Sequence, residues 1–228
     1  MRKIKLLMFA LVAVMALGAM AAASASATAL PLFLTESGAK LLFTALGGLA
    51  ILRGKKIGQE AEIHCEESTA HGFVLNKTSL ADEVQISFSN KCVENAAALG
   101  LKNAACKEPI VVKESKGELG LIGTTEVGLL LAPVTGTEFA KTECGGSSTT
   151  VSGAIIGTFP ETGKYGKLEA KAELLFKATG AKQEPTSIEL LDNLMTGVTL
   201  KVSEIFGEEA SEATKSTITG DGKIAIDL

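Results

Sequence analysis

His64 and His71 are the two imidazoles of this chain, and both stand close to carboxylates. Read as a strand, Ala61-Glu62-Ile63-His64-Cys65 sends Glu62 and His64 to one face, with Glu60 and Glu66 on the same parity. His71 follows across an expected turn at Glu67–Ala70. If those two strands pair, both imidazoles meet Glu62 and Glu66. Such a set would hold a metal ion weakly, or exchange protons near neutral pH. The plainer alternative is a solvated charged face with two incidental histidines.

Other chemical patterns are weaker. Ser37-Gly38-Ala39-Lys40 has the S-x-x-K spacing in which a serine attacks and a lysine tunes its proton. That chemistry also needs a K-T-G strand and a helical domain. Lys141-Thr142-Glu143 departs from K-T-G, so the match reads as chance. G-x-S-x-G, Walker A, G-x-G-x-x-G and H-E-x-x-H are absent. The acidic pairs Glu66-Glu67, Asp82-Glu83 and Glu208-Glu209 are sequence neighbours, which a strand sends to opposite faces. Asn76-Lys77-Thr78 is a glycosylation sequon by pattern alone. No catalytic residue is assigned and no cofactor is expected.

Cys65, Cys92, Cys106 and Cys144 are the four cysteines. Their gaps of 26, 13 and 37 residues contain no C-x-x-C, which argues against a zinc site. An even number in an exported chain points to two disulfides. Three connectivities exist. The expected one is Cys92–Cys106, closing a short Ala-rich excursion, with Cys65–Cys144 joining distant strands.

The elements that must position these residues are strands. In Lys167–Lys177, Leu168, Ala170, Ala172, Leu174 and Phe176 alternate with Lys167, Glu169, Lys171, Glu173 and Lys177. Period-two alternation of this kind marks a strand with one face in the core and one in water. Val84–Phe88 and Val198–Val202 repeat it. Turn residues between Gly117 and Lys177 divide the chain into five expected strands: Glu118–Gly123, Glu126–Ala132, Thr137–Glu143, Thr149–Phe159 and Lys167–Lys177. Their short connections predict a meander of antiparallel neighbours. A final hairpin is expected at Gly220-Asp221-Gly222, between Ser216–Thr219 and Lys223–Leu228. Glu94–Lys107 is Ala-rich and reads as a short helix. Lys40–Leu52 is strongly apolar and too short to span a bilayer. It reads as one or two buried strands broken at Gly47-Gly48; the competing reading is an apolar surface for a partner or lipid.

The N-terminus has three cations in its first five residues, an apolar run from Leu6 to about Ala23, and then Ala25-Ser26-Ala27-Thr28-Ala29. This is the three-part pattern of a bacterial-style secretory signal, with cleavage after Ala27 or Ala29. Residues 1–27 are therefore expected to be the signal peptide, and 28–228 a single antiparallel β-domain, secreted and extracellular. No integral membrane segment is expected after cleavage. The leader carries three of the 22 cations and none of the 26 acids, so the remainder has a formal net charge of −7. An acidic chain without Trp and with one Tyr lacks both the positive footprint and the stacking platforms of a nucleic-acid binder.

Val134–Cys144, followed by Val151-Ser152-Gly153-Ala154-Ile155-Ile156-Gly157, resembles a group of uncharacterised secreted actinobacterial proteins. Gly117–Ile122 and Gly180-Ala181-Lys182-Gln183-Glu184-Pro185-Thr186 share in the resemblance. It covers most of the chain after the leader, including the placement of the four cysteines. It implies export and a β-rich body, and brings no activity and no site residue. The apolar Lys40–Leu52 departs from that group's pattern.

The expected fold is an all-β, single antiparallel β-barrel or two-sheet β-sandwich with a meander core. The expected function is non-catalytic: a binding or surface-associated protein with a cell-surface partner or a small apolar ligand. The alternatives are a lipocalin-like carrier of a small apolar ligand, whose mark is a lined internal cavity, and an extracellular hydrolase with an unrecognised site.

Overall fold

The computed structural model describes residues 30–56, 59–96, 100–160, 167, 169–190, 194–198, 200–202 and 208–227. The expected signal segment, residues 1–27, lies outside them. The described residues are strands and connections, with no helix long and apolar enough to cross a membrane. In chain order the strands are β1 Leu32–Thr35, β2 Leu41–Gly47, β3 Ala50–Lys56, β4 Gln59–Cys65, β5 Glu67–Val74, β6 Leu80–Ser89, β7 Val93–Ala96, β8 Leu101–Ala105, β9 Ile110–Val111, β10 Ser115–Ile122, β11 Glu126–Pro133, β12 Glu138–Cys144, β13 Ser147–Gly153, β14 Ile155–Thr158, β15 Glu169–Thr179, β16 Lys182–Glu184, β17 Ser187–Glu189, β18 Leu194–Thr196, β19 Leu200–Val202 and β20 Glu208–Asp227.

Eight of them close into an antiparallel barrel. Its order is β2, β5, β6, β10, β11, β14, β15, β20, and β20 returns to β2. Closure removes the exposed edges that an open sheet would leave. The alternation dictates the wall. In β2, Leu41, Phe43 and Ala45 are buried while Leu42, Thr44 and Leu46 are exposed. β1 continues the line of β2 along the end of β20.

A second sheet is built from β8, β7, β4, β3, the start of β20, β19, β13 and β12, in that order. It curls back on itself: the isolated bridge Cys106–Cys144 joins its two ends, and the bridge Val112–Ala140 ties β12 to the segment after β9, which pairs with β6 of the barrel. β20 belongs to both layers, with residues 208–213 in the outer sheet and 214–227 in the barrel.

Several expectations are corrected. The segment 117–177 is not a simple meander, because β11 pairs with β14 and the β12–β13 hairpin leaves the barrel for the outer sheet. The expected strand Thr149–Phe159 is consequently two strands. They meet after Gly153, whose φ of 114° is a corner that a side chain would resist. Glu94–Lys107 is the β7–β8 hairpin instead of a helix, since sheet pairing on β4 overrides its local Ala-rich preference. Gly220-Asp221-Gly222 is not a turn either. Between the pairs Glu169–Ile224 and Lys171–Thr219 the intervening residues bulge from a continuous β20. Glycines serve bulges as readily as turns, so composition did not distinguish them.

The main core lines the barrel and continues beneath the outer sheet. A smaller cluster of Leu130, Ile156, Ile188, Leu190 and Val198 lies on the outer side of β11 and β14. It explains why Leu129-Leu130-Leu131 is apolar without alternation: β11 is covered on both faces.

Candidate functional site

The barrel encloses a cavity of about 90 Å³. That lies between the roughly 10–15 Å³ that one water needs and the about 150 Å³ of an engineered apolar cavity that takes up benzene. Inward positions of each strand make its wall. Phe43 and Ala45 come from β2, Val84, Ile86 and Phe88 from β6, and Leu129 and Leu131 from β11. β20 supplies a graded row at every second residue: Glu212, Thr214, Ser216, Ile218 and Gly220. The row is polar at one end and apolar beyond it.

At the polar end, Ser68 of β5 joins the wall. Ser68 is 3 % exposed, and its Oγ has no hydrogen-bond partner. It packs against Gly47 of β2, whose missing side chain leaves room for the hydroxyls of both Ser68 and Ser216. Thr214 is partnered, its Oγ1 donating to the Leu49 carbonyl at 3.5 Å. Glu212 is 2 % exposed, and burial alone pushes its carboxyl up to about 8. A carboxyl raised in this way stays neutral at pH 7 and is able to donate a hydrogen bond.

The β15–β16 hairpin backs this end. The buried Gln183 accepts from the Glu212 backbone N–H at 3.0 Å and donates from Nε2 to the Lys177 carbonyl at 2.6 Å. Ser211 Oγ donates to the Gly180 carbonyl at 2.8 Å. At the other end the wall includes Glu169–Ala172, all four exposed. Lys171 sits opposite Thr219, seven residues along β20 from Glu212, or roughly 23 Å at strand rise. Among the described residues, Glu169, Lys171 and Glu212 are the charged types in the cavity wall, and Glu212 alone stands at the polar end.

The histidine reading meets a different geometry. β4 and β5 do not pair: β4 lies in the outer sheet between β3 and β7, and β5 in the barrel between β2 and β6. The chain changes layer at Glu66, which parts His64 from His71. Glu62 and His64 are brought together, with Glu62 Oε2 and His64 Nε2 at 2.8 Å. Arg53 Nε donates to Glu62 Oε1 at 2.6 Å. Hydrogen bonds from Arg53 and then His64 hold the Glu62 carboxyl below its ordinary range. His71 is exposed between Thr44 and Gln85, and Glu66 pairs with Lys91 at 3.0 Å. No group of three or more metal-ligating side chains occurs among the described residues. Lys40 of the S-x-x-K match sits 3.8 Å over the Phe73 ring and pairs with Glu83 at 2.9 Å. Asn76 of the sequon accepts from the Thr35 N–H at 3.0 Å, and Thr78 Oγ1 donates to the Leu75 carbonyl at 3.0 Å.

All four cysteines are bonded, but as Cys65–Cys92 and Cys106–Cys144. The expected Cys92–Cys106 and Cys65–Cys144 pairing is wrong for a geometric reason. The four stand in one row across β4, the start of β7, the end of β8, and β12. Cys92 and Cys106 are neighbours, the Cys106 N–H donating to the Cys92 carbonyl at 3.0 Å. Bonding them would leave Cys65 and Cys144 at the ends of the row, roughly 14 Å apart at three strand spacings and beyond disulfide reach.

Sequence reasoning passed over Glu212 and Ser68. The available signal was the parity of Ala210, Glu212, Thr214, Ser216 and Ile218, which places Glu212 on the same face as Ile218. No protein-family model, curated protein or solved structure matches this chain.

Proposed function

We propose that this protein is a non-catalytic binding protein that holds a small apolar molecule inside its barrel, and that it works outside the cytoplasm. The observation that carries the reading is the cavity of about 90 Å³ inside a closed barrel, walled mainly by Phe, Leu, Ile, Val and Ala side chains with a polar group of residues at one end. An apolar space of this size costs stability when empty, by lost dispersion contacts along its wall. Filling it with a matching ligand restores those contacts, and such entry is commonly driven by enthalpy at room temperature. The external setting is supported by the leader pattern of the first 27 residues and by two disulfides, which persist in oxidising compartments.

The test is titration calorimetry with hexane and toluene, together with mass spectrometry of solvent extracts of the freshly purified protein. Saturable uptake at a single site is expected. Ala45→Phe, which places a ring in the cavity, is expected to weaken it at least tenfold. Absence of saturable uptake, together with no co-purifying apolar molecule, would overturn the reading.

A further inference from the structure

We propose that the barrel cavity takes a small primary amine, its apolar chain inside the cavity and its ammonium group against the Glu212 carboxylate. This rests on the cavity-binding reading above and names the chemical class that the cavity selects.

Glu212 lies on the stretch of β20 that pairs with β3, and it lines the cavity. No hydrogen bond or ion pair reaches its carboxyl among the described residues, and burial is the only influence on its proton. Buried polar groups without partners are rare in native proteins. Ser68 Oγ is also unpartnered, but it is sealed from any ligand. The Glu212 side chain keeps a small open surface, 2 % of its own, and the space it borders is the cavity.

The elements packed against Glu212 bring no counter-charge. β3 places Leu52 opposite it, and the neighbouring Arg53 pairs with Glu62. From the β15–β16 hairpin, Gln183 accepts from its backbone N–H, while Lys177, Lys182 and Glu184 are exposed. Glu173 and Lys215 pair with each other, and Lys201 of β19 is exposed. Glu94 of β7 lines the smaller cavity beneath the outer sheet and not this one. In the cavity wall itself, Glu169 and Lys171 are exposed near the opposite end.

Burial penalises the ionised carboxyl, and an arriving cation removes that penalty. The carboxyl is already out of water, so only the ligand's ammonium has still to be desolvated. A hydrogen bond between two charged groups is also roughly twice as strong as one between neutral groups. A ligand carboxylate would be buried here without a counter-charge, which is strongly unfavourable. Below about 8 the empty site holds a proton on Glu212, and the incoming ammonium expels it to solvent. Affinity for the amine therefore rises with pH, up to about tenfold per unit, and levels off above about 8. An alkylammonium keeps its own proton to about 10.4.

The experiment compares n-butylamine, 1-butanol, butyrate and n-pentane on the full chain with its disulfides intact. Affinity is read by calorimetry at pH 6.5 and 8.5. At pH 8.5 butylamine is expected to bind at least tenfold tighter than butanol, with butyrate weakest. Its affinity should fall about twentyfold at pH 6.5, whereas butanol's should not. At pH 6.5, buffers of different ionisation enthalpy should show release of close to one proton per butylamine bound. Glu212→Gln should abolish the preference and the proton release while pentane still binds. Glu169→Gln, at the opposite end, should change neither.

The proton release is read on the unaltered protein, so it carries the test even if Glu212→Gln does not fold. Butylamine binding no tighter than butanol overturns this inference and leaves apolar binding standing. So does tighter binding of butylamine without proton release, or a preference lost in Glu169→Gln, which would place the ammonium at the other end. If none of the four binds, the cavity-binding reading itself falls.

Discussion

At the scale of single residues, the carboxyl of Glu212 is the side chain whose state depends most on the fold. Its ordinary value is 4.5, and in the folded protein burial raises it to about 8. Below 4.5 the group is protonated both folded and unfolded, so it adds no pH dependence. Between 4.5 and about 8 the unfolded chain releases a proton that the folded chain retains, so stability falls as pH rises. Above about 8 both forms are ionised and the loss is complete. Each unit of the interval is worth about 1.4 kcal/mol, which makes the total a few kcal/mol. The expected result is that the Tm of the unaltered protein drops from pH 5 to pH 8 by roughly 10 °C more than that of Glu212→Gln. Identical pH profiles for the two proteins would show that Glu212 ionises freely in the fold. Glu62 has the opposite sign: its lowered value adds stability above the ordinary carboxylate range, lost as pH falls through it. Glu62 and His64 were legible in the sequence because they lie two apart on one strand. Ser68 and Glu212 were not, since they come from strands more than a hundred residues apart and share only the barrel interior.

At the scale of elements, the contact of β2 with β5 and β20 shapes the polar end. Gly47 stands opposite Ser68 on one side and Ser216 on the other. A Cβ at Gly47 would collide with Ser68 Oγ and come within 2.8 Å of Ser216 Oγ. Gly47→Ala is therefore expected to destabilise the protein by about 1–3 kcal/mol, the usual cost of overpacking. Ser68→Ala added to it should recover part of that loss, because it removes the nearer atom. A denaturation double-mutant cycle measures the coupling, and strict additivity would count against the close approach. The apolar stretch Lys40–Leu52 also resolves at this scale. One face of β2 is core, while the other leaves Leu46 at 65 % exposure, with Leu42 and Leu49 also exposed. The buried-strand reading holds for one face, and the other face exposes apolar side chains, because a strand has two faces.

For the molecule as a whole, the two disulfides lie in the outer sheet and none lies in the barrel. They close loops with separations of 27 and 38 residues, for which chain entropy suggests roughly 3–4 kcal/mol each. Reduction should therefore loosen the outer sheet before the barrel. In hydrogen exchange, amides of β4, β7 and β12 are expected to lose protection on reduction, while those of β5, β6 and β11 keep more of theirs. The shared strand β20 should show the change along its length, with residues 208–213 exchanging faster than 214–220. Uniform loss across both layers would show that the sheets open as one unit. Peptide mapping without reduction should recover Cys65 with Cys92 and Cys106 with Cys144.

The sequence by itself determined the all-β class, the inward and outward face of most strands, and the bonding of every cysteine. Those properties are local: a two-residue period, a turn residue, and an even cysteine count after a leader-like segment. Partner choice is not local. Which strand β11 takes as neighbour, which cysteine faces Cys92, and whether β20 turns or runs straight depend on closing a barrel through contacts distant along the chain. The cavity follows from that closure, and the burial of Glu212 follows from packing β20 against β3 and the β15–β16 hairpin, which lie far from it along the chain.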